Sequence, residues 1–152
     1  MITVYRSLDV GLLYEIGSDP KVFDETTEDG QTIDSLDNDV INTIVLGLYS
    51  EEHKKHIGLV KLKPMTKNAY DAHIKILPQY RGEMAMEAGA AIWKEIKRTL
   101  EGATIYSTVP TCCGNVEKFL EKFKFRKSGV IPKAWEKNGE RHDLTIYARE
   151  VI

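Results

Sequence analysis

Ile74-Lys75-Ile76-Leu77-Pro78-Gln79-Tyr80-Arg81-Gly82 is the stretch on which the fold turns. Upstream of Pro78 the pattern has a period of two. Tyr70, Ala72, Ile74 and Ile76 point one way, and Asp71, His73, Lys75 and Leu77 the other, which predicts a strand over Tyr70 to Leu77. Downstream of Gly82 the period changes. Ala85, Ala88, Ile92 and Ile96 recur at helical spacing, with Trp93 beside them, predicting a helix from Gly82 to about Thr99. Gly89 lies on the same side. Glycine inside a helix costs stability, so it marks a close backbone approach. Gly102 suits the helix end.

Working outward, Ile2 to Tyr5 is a short β-rich run. Ser7 and Asp9 cap a helix carrying Leu12, Leu13 and Ile16 and stopping at Gly17. Ser18-Asp19-Pro20 starts a second short helix through Val22 and Phe23. Asp24 to Asp39 is acidic and poor in large apolar residues, and reads as a long surface loop. Ile41 to Tyr49 and Ile57 to Leu62, the latter ended by Lys63-Pro64, form a predicted hairpin around the polar turn Ser50 to Lys55. Thr104 to Val109 is a β-branched run typical of a buried strand. Asn115 to Phe123 is a helix with Val116, Phe119, Leu120 and Phe123 on one face. Phe125 to Ile131 and Leu144 to Ala148 are the last strands, with an Asn138-Gly139 turn between them. The order β-α-α-β-β-β-α-β-α-β-β predicts a mixed α/β (α+β) sheet fold.

The 152 residues suit one domain over residues 1–152 with one core. Apolar residues make up 42% and charged residues 29%, the balance of a soluble globular chain. No apolar run approaches the roughly 18 residues that span a bilayer, so no membrane partner is expected. The start, Met1 to Arg6, lacks the layout of a signal peptide, which points to the cytoplasm. Cys112 and Cys113 are neighbours, a poor geometry for a disulfide, and read as reduced thiols. The net charge of −2 is unevenly spread: residues 1–52 hold twelve acids and two bases, residues 53–152 eleven acids and nineteen bases. The basic part can face an anionic ligand. Its bases alternate with acids along helices, so nucleic acid is not an expected partner. His53 and His56 lie in a turn with Lys54 and Lys55, a solvated arrangement, and no metal site is expected.

The run from Ile74 to Gly82 resembles the central motif of the GNAT superfamily of N-acetyltransferases: a strand ending in apolar-x-Pro, then Tyr-Arg-Gly, then a helix. Asn115 to Phe125 (NVEKFLEKFKF) is similar to a second hallmark, in which Asn opens a late helix. The element order matches the superfamily across nearly the whole chain. His73 to Pro78 with Tyr80-Arg81-Gly82 also looks like small GNAT-like proteins encoded by bacteriophages, for which a virion location is an alternative to the host cytoplasm. The resemblance implies acetyl-CoA as cosubstrate, an amine on a small molecule, peptide or protein as acceptor, and a homodimer joined through the last strands.

A helix N-terminus offers unpaired N–H groups and partial positive charge, and so holds phosphate. The resemblance therefore places the pyrophosphate at Arg81, Gly82, Glu83, Met84, Ala85 and Met86, with Asn115 at the late helix. It places the thioester carbonyl on a backbone N–H near Ile76 or Leu77, where the family parts two strands. The chain departs from the pattern twice. Where the loop has glycines, it has Met84 and Met86, which either point into the core and leave the amides open or fill the groove. Where many members have an acid-donating tyrosine, it has Leu120, and the usual glycine after it is Lys124. His73, of a residue type that titrates near neutrality, and Tyr70 are the candidates for the base. Arg81 reaches either a phosphate or a carboxylate. Two functions stay open: an acetyltransferase, and a GNAT-fold binding or structural protein without turnover.

Overall fold

The computed structural model describes residues 1–39 and 42–152. Its elements are β1 (Ile2–Ser7), α1 (Val10–Gly17), α2 (Pro20–Thr26), β2 (Ile44–Ser50), β3 (Lys55–Thr66), β4 (Ala69–Ile76), α3 (Glu83–Thr99), β5 (Thr104–Pro110), α4 (Gly114–Lys122), β6 (Arg126–Lys137) and β7 (Glu140–Glu150). Ile41, the expected start of the second strand, lies outside the described residues. Local signals account for most boundaries. Asp9 caps α1 by accepting from Gly11 N–H at 2.8 Å. Asp19 caps α2 by accepting from Lys21 and Val22, with Pro20 in the first turn. Asn138 and Gly139 both have positive φ, 54° and 76°, and make the tight turn between β6 and β7.

The seven strands form one sheet in the order β1-β2-β3-β4-β5-β7-β6. Every pairing is antiparallel except β4 with β5. Alternation sends Leu46, Val60, Leu62 and Ile105 to one face, against Ala88, Ile92 and Ile96 of α3. Val45 and Leu59 face the other side, against Leu12, Leu13 and Ile16 of α1. Gly89 is where α3 meets α4: a Cβ there would lie 2.3 Å from the Phe123 ring and 3.0 Å from that of Phe119.

Three expectations are corrected. The strand expected to end at Lys63-Pro64 runs to Thr66 and pairs Pro64 with Tyr70. The β2 ladder stops at Ile44 opposite Leu62, so the N–H that proline lacks would face an unpaired side. The stretch 24–39 is not one loop. Thr26 and Thr27 hydroxyls donate to the Val22 and Phe23 carbonyls and close α2, and Ile33–Asp39 forms a 3-10 helix anchored by buried Leu36. Finally, β6 and β7 extend beyond the apolar runs that marked them. The first eight residues of β6 are exposed, so no apolar alternation is required along it.

The segment after α2 is clasped to the β6–β7 turn. Asp29 accepts from Asn138 N–H at 3.0 Å and Gly139 N–H at 2.9 Å. Lys137 pairs with Asp24 at 3.2 Å and donates to the Thr27 carbonyl at 2.9 Å. The Gly139 and Asn138 N–H groups, with Lys137 nearby, hold the Asp29 carboxyl below the usual range. A lowered carboxyl contributes stability above its unfolded value, about 3.9, and loses it as pH falls through the folded one. Asp29→Ala is thus expected to melt lower than the parent at neutral pH, with the gap narrowing below about pH 4. Thermal melts across pH check this.

Candidate active site

The site begins where β4 and β5 part. Their ladder has three pairs, Ala69 with Thr104, Tyr70 with Ile105 and Asp71 with Tyr106. Both strands then continue, β4 to Ile76 and β5 to Pro110, without pairing. The gap is a cavity of about 390 Å³ that opens through the sheet. On the α3 and α4 side its wall is Gly89, Ile92, Trp93, Phe119 and Phe123. On the α2 side it is polar, with Glu25, Gln31, Asp71, His73 and Trp135. One wall can receive a flexible, partly apolar arm and the other a polar reactant.

Backbone polarity follows from register. Leu77 N–H donates to the Ile57 carbonyl at 2.8 Å. Polar groups alternate sides along an antiparallel strand, so those of Ile76 turn away from β3, toward the gap. Arg81 agrees, since its Nε donates to the Ile76 carbonyl at 3.1 Å from that side. Of the two amides singled out in the sequence, that of Leu77 is spent within the sheet and that of Ile76 turns away from β3, one residue beyond Lys75, the last β4 residue in the cavity wall.

The helix entry lies beside it. Pro78–Tyr80 makes a single 3-10 turn, Arg81 is extended, and Gly82 stands at φ 88° and ψ −128°, a conformation side chains disfavour. No side chain caps α3. Its first helical bond runs from Met86 N–H to the Gly82 carbonyl at 3.2 Å. The N–H groups of Glu83, Met84 and Ala85 precede that bond and have no intrahelical acceptor. Met84 and Ala85 pack against the core. Neither Met84 nor Met86 belongs to the cavity wall. Arg81 binds Glu25 of α2 at 2.8 Å, the carboxylate alternative of the two it had. Asn115 is exposed in the first turn of α4, outside the wall.

His73 is in the wall and Tyr70 is not. The Tyr70 ring packs on the α3 face of the core. His73 Nε2 lies 3.1 Å from Asp71 Oδ1. This is a close approach rather than an aligned hydrogen bond, because that oxygen is buried without a hydrogen-bond partner. Leu120 is buried with Val109 and Tyr147. Cys113, at the N-cap position of α4, also lines the cavity. Burial, and then Cys112 beside it, pushes its thiol up to about 11, so it stays protonated at neutrality.

Trp93, Phe119 and Phe123 read as core residues in the sequence, because a cavity wall and a core face share one periodicity. Only Gly89 hinted at them. Val116, expected on the buried face of α4, is 39% exposed because that face borders the opening.

No curated protein matches the sequence. Solved structures match the fold throughout. The spermidine N-acetyltransferase SpeG of Vibrio cholerae, in complex with CoA and spermine, superposes with a TM-score of 0.80 at 17% identity, over 97% of this chain and 94% of that one. An N-acetyltransferase of Staphylococcus aureus Mu50 gives 0.74 at 14% identity, over 99% and 98%. The architecture is therefore that of the GNAT N-acetyltransferases. By sequence, residues 12–151 match a family described as a protein of unknown function, DUF2824, and the chain belongs to that family.

Proposed function

We propose that the chain is an acetyl-CoA-dependent N-acetyltransferase acting on a primary amine. The observation that carries this reading is the divergence of β4 from β5 after three pairs, which opens a cavity along β4 as far as Lys75 and leaves Ile76 unpaired on that side, next to an uncapped helix start. In this reading the pyrophosphate lies on the N–H groups of Glu83, Met84 and Ala85. The pantetheine arm follows the apolar wall to the gap. The thioester carbonyl accepts from Ile76 N–H, which stabilises the oxyanion. The amine comes from the polar side, where His73 takes its proton. The C–N bond forms, the C–S bond breaks, and the thiolate takes a proton from water, since buried Leu120 has none to give. The cocrystallised spermine of the Vibrio cholerae neighbour supports an amine acceptor.

Calorimetric titration with acetyl-CoA tests this, followed by thiol-release assays over an amine panel. Binding with turnover is expected. No heat and no thermal shift at millimolar ligand overturns the reading. Gly82→Pro, whose ring fixes φ near −65°, cannot hold the 88° that aims the helix-entry amides. It should weaken binding by about tenfold or more, roughly 1.4 kcal/mol. A second reading, a CoA-binding protein without turnover, is favoured by Leu120 at the tyrosine position and by Arg81 engaged with Glu25. Binding without thiol release on any amine would select it.

A further inference from the structure

Arg81 ties the entry of α3 to α2. Its Nε donates to the Ile76 carbonyl at 3.1 Å, and its Nη2 lies 2.8 Å from Glu25 Oε2. Arg81 is extended and stands one residue ahead of Gly82, whose positive φ opens the helix. Glu25 belongs to the polar cavity wall with Gln31, Asp71 and His73, whereas Arg81 lies outside that wall. The ion pair therefore joins the helix entry to the side of the cavity assigned above to the amine.

Helix stability does not explain Glu25. It sits in the last turn of α2, the end at which a carboxylate is least favoured. Both side chains of the pair are 38% exposed, so an ion in solution can reach either. Water screens such a pair and leaves it weak. A guanidinium takes phosphate in the same forked geometry as carboxylate, and a diphosphate brings more charge. Glu25 also keeps a second cation. Lys21 Nζ lies 4.0 Å from its other oxygen, Oε1, so the carboxylate is not stranded when Arg81 leaves.

We infer that Glu25 is an internal competitor for Arg81. In the free chain its carboxylate occupies the guanidinium. A diphosphate at the helix entry displaces the carboxylate and takes the guanidinium in its place. The inference rests on the acetyl-CoA reading above and adds a control to it: cosubstrate binding works against an anion that the chain itself supplies. The exchange happens at exposed groups, so it needs no rearrangement of the core.

CoA is titrated by calorimetry into the native chain, Glu25→Gln, Arg81→Gln and the double variant, with melting curves to confirm that each is folded. Glu25→Gln keeps the length of the side chain and removes its charge. It is expected to bind CoA about two- to fivefold tighter, the range that a half-exposed ion pair commands. Glu25→Ala, which removes the carboxylate altogether, should do the same. Arg81→Gln should bind about three- to tenfold weaker. In the Arg81→Gln background, Glu25→Gln should change nothing further, because the group competed for is gone. That cycle separates competition for one guanidinium from the general gain when any acid is removed near an anion site. Unchanged or weaker CoA binding by Glu25→Gln and Glu25→Ala, or equal tightening with and without Arg81, overturns the inference and leaves the acetyl-CoA reading standing. Failure of the native chain to bind CoA overturns both.

Discussion

Gly58→Val is expected to destabilise the protein by about 3 kcal/mol or more, the scale of a severe core clash. A Cβ at this position would lie 2.3 Å from the Lys75 carbonyl oxygen and 3.1 Å from the Ile76 Cα. Both are backbone atoms of β4, so no rotamer change relieves the overlap. Gly58 pairs with Ile76, and the next bond runs from Leu77 N–H to the Ile57 carbonyl. The wedge would therefore open the ladder at the end that holds the Ile76 amide against the gap. For a domain of this size the melting temperature should fall by about 10 °C. Acetyl-CoA binding should be lost even in the fraction that stays folded. Gly114→Ala is the control, since nothing lies within 4 Å of a Cβ there. Urea titration of both variants decides it. An unchanged midpoint for Gly58→Val would mean that β3 and β4 are not held this close.

The contrast between those two glycines shows what the sequence could reveal. Features that one segment dictates were legible. The switch from period two to helical period around Pro78 placed β4 and α3, and Asn138-Gly139 placed the last turn. Features that arise between segments were not. Nothing local at Asp71 or Tyr106 announces that β4 and β5 stop pairing there, because both strands keep their β pattern to the end. The cavity is a consequence of that divergence, so Trp93 and Phe119 looked like ordinary core. The stretch 24–39 misled for another reason. Its acids suggested one solvated loop, yet Asp29 is spent on the turn at Asn138 and Gly139, more than a hundred residues away in the chain. Leu36 is a buried anchor of the 3-10 segment. Arg81 shows the limit of a motif. Its position beside the helix entry was predictable, whereas its choice of Glu25 depends on where α2 packs.

His73→Ala is expected to cost about 10²- to 10⁴-fold in turnover, the range for losing a general base, with acetyl-CoA affinity nearly unchanged. The split follows from placement. His73 belongs to the polar wall, away from the helix entry and the apolar wall along which the cosubstrate is proposed to lie. The acceptor amine is protonated in water and cannot attack until its proton leaves. Histidine is a residue type able to take that proton near neutrality, and the His73 ring lies in this wall with Nε2 3.1 Å from Asp71. Asp71 acts through the imidazole, by the negative charge it places 3.1 Å from Nε2. Asp71→Asn should therefore cost less than His73→Ala, about tenfold, and raise KM for the amine more than for acetyl-CoA. Tyr70→Phe should be close to silent, because that ring packs on the opposite face of β4. Thiol release at saturating acetyl-CoA measures all three. Turnover within threefold of the parent for His73→Ala would place the proton on water and remove His73 from the chemistry, while the role of the Ile76 amide would stand.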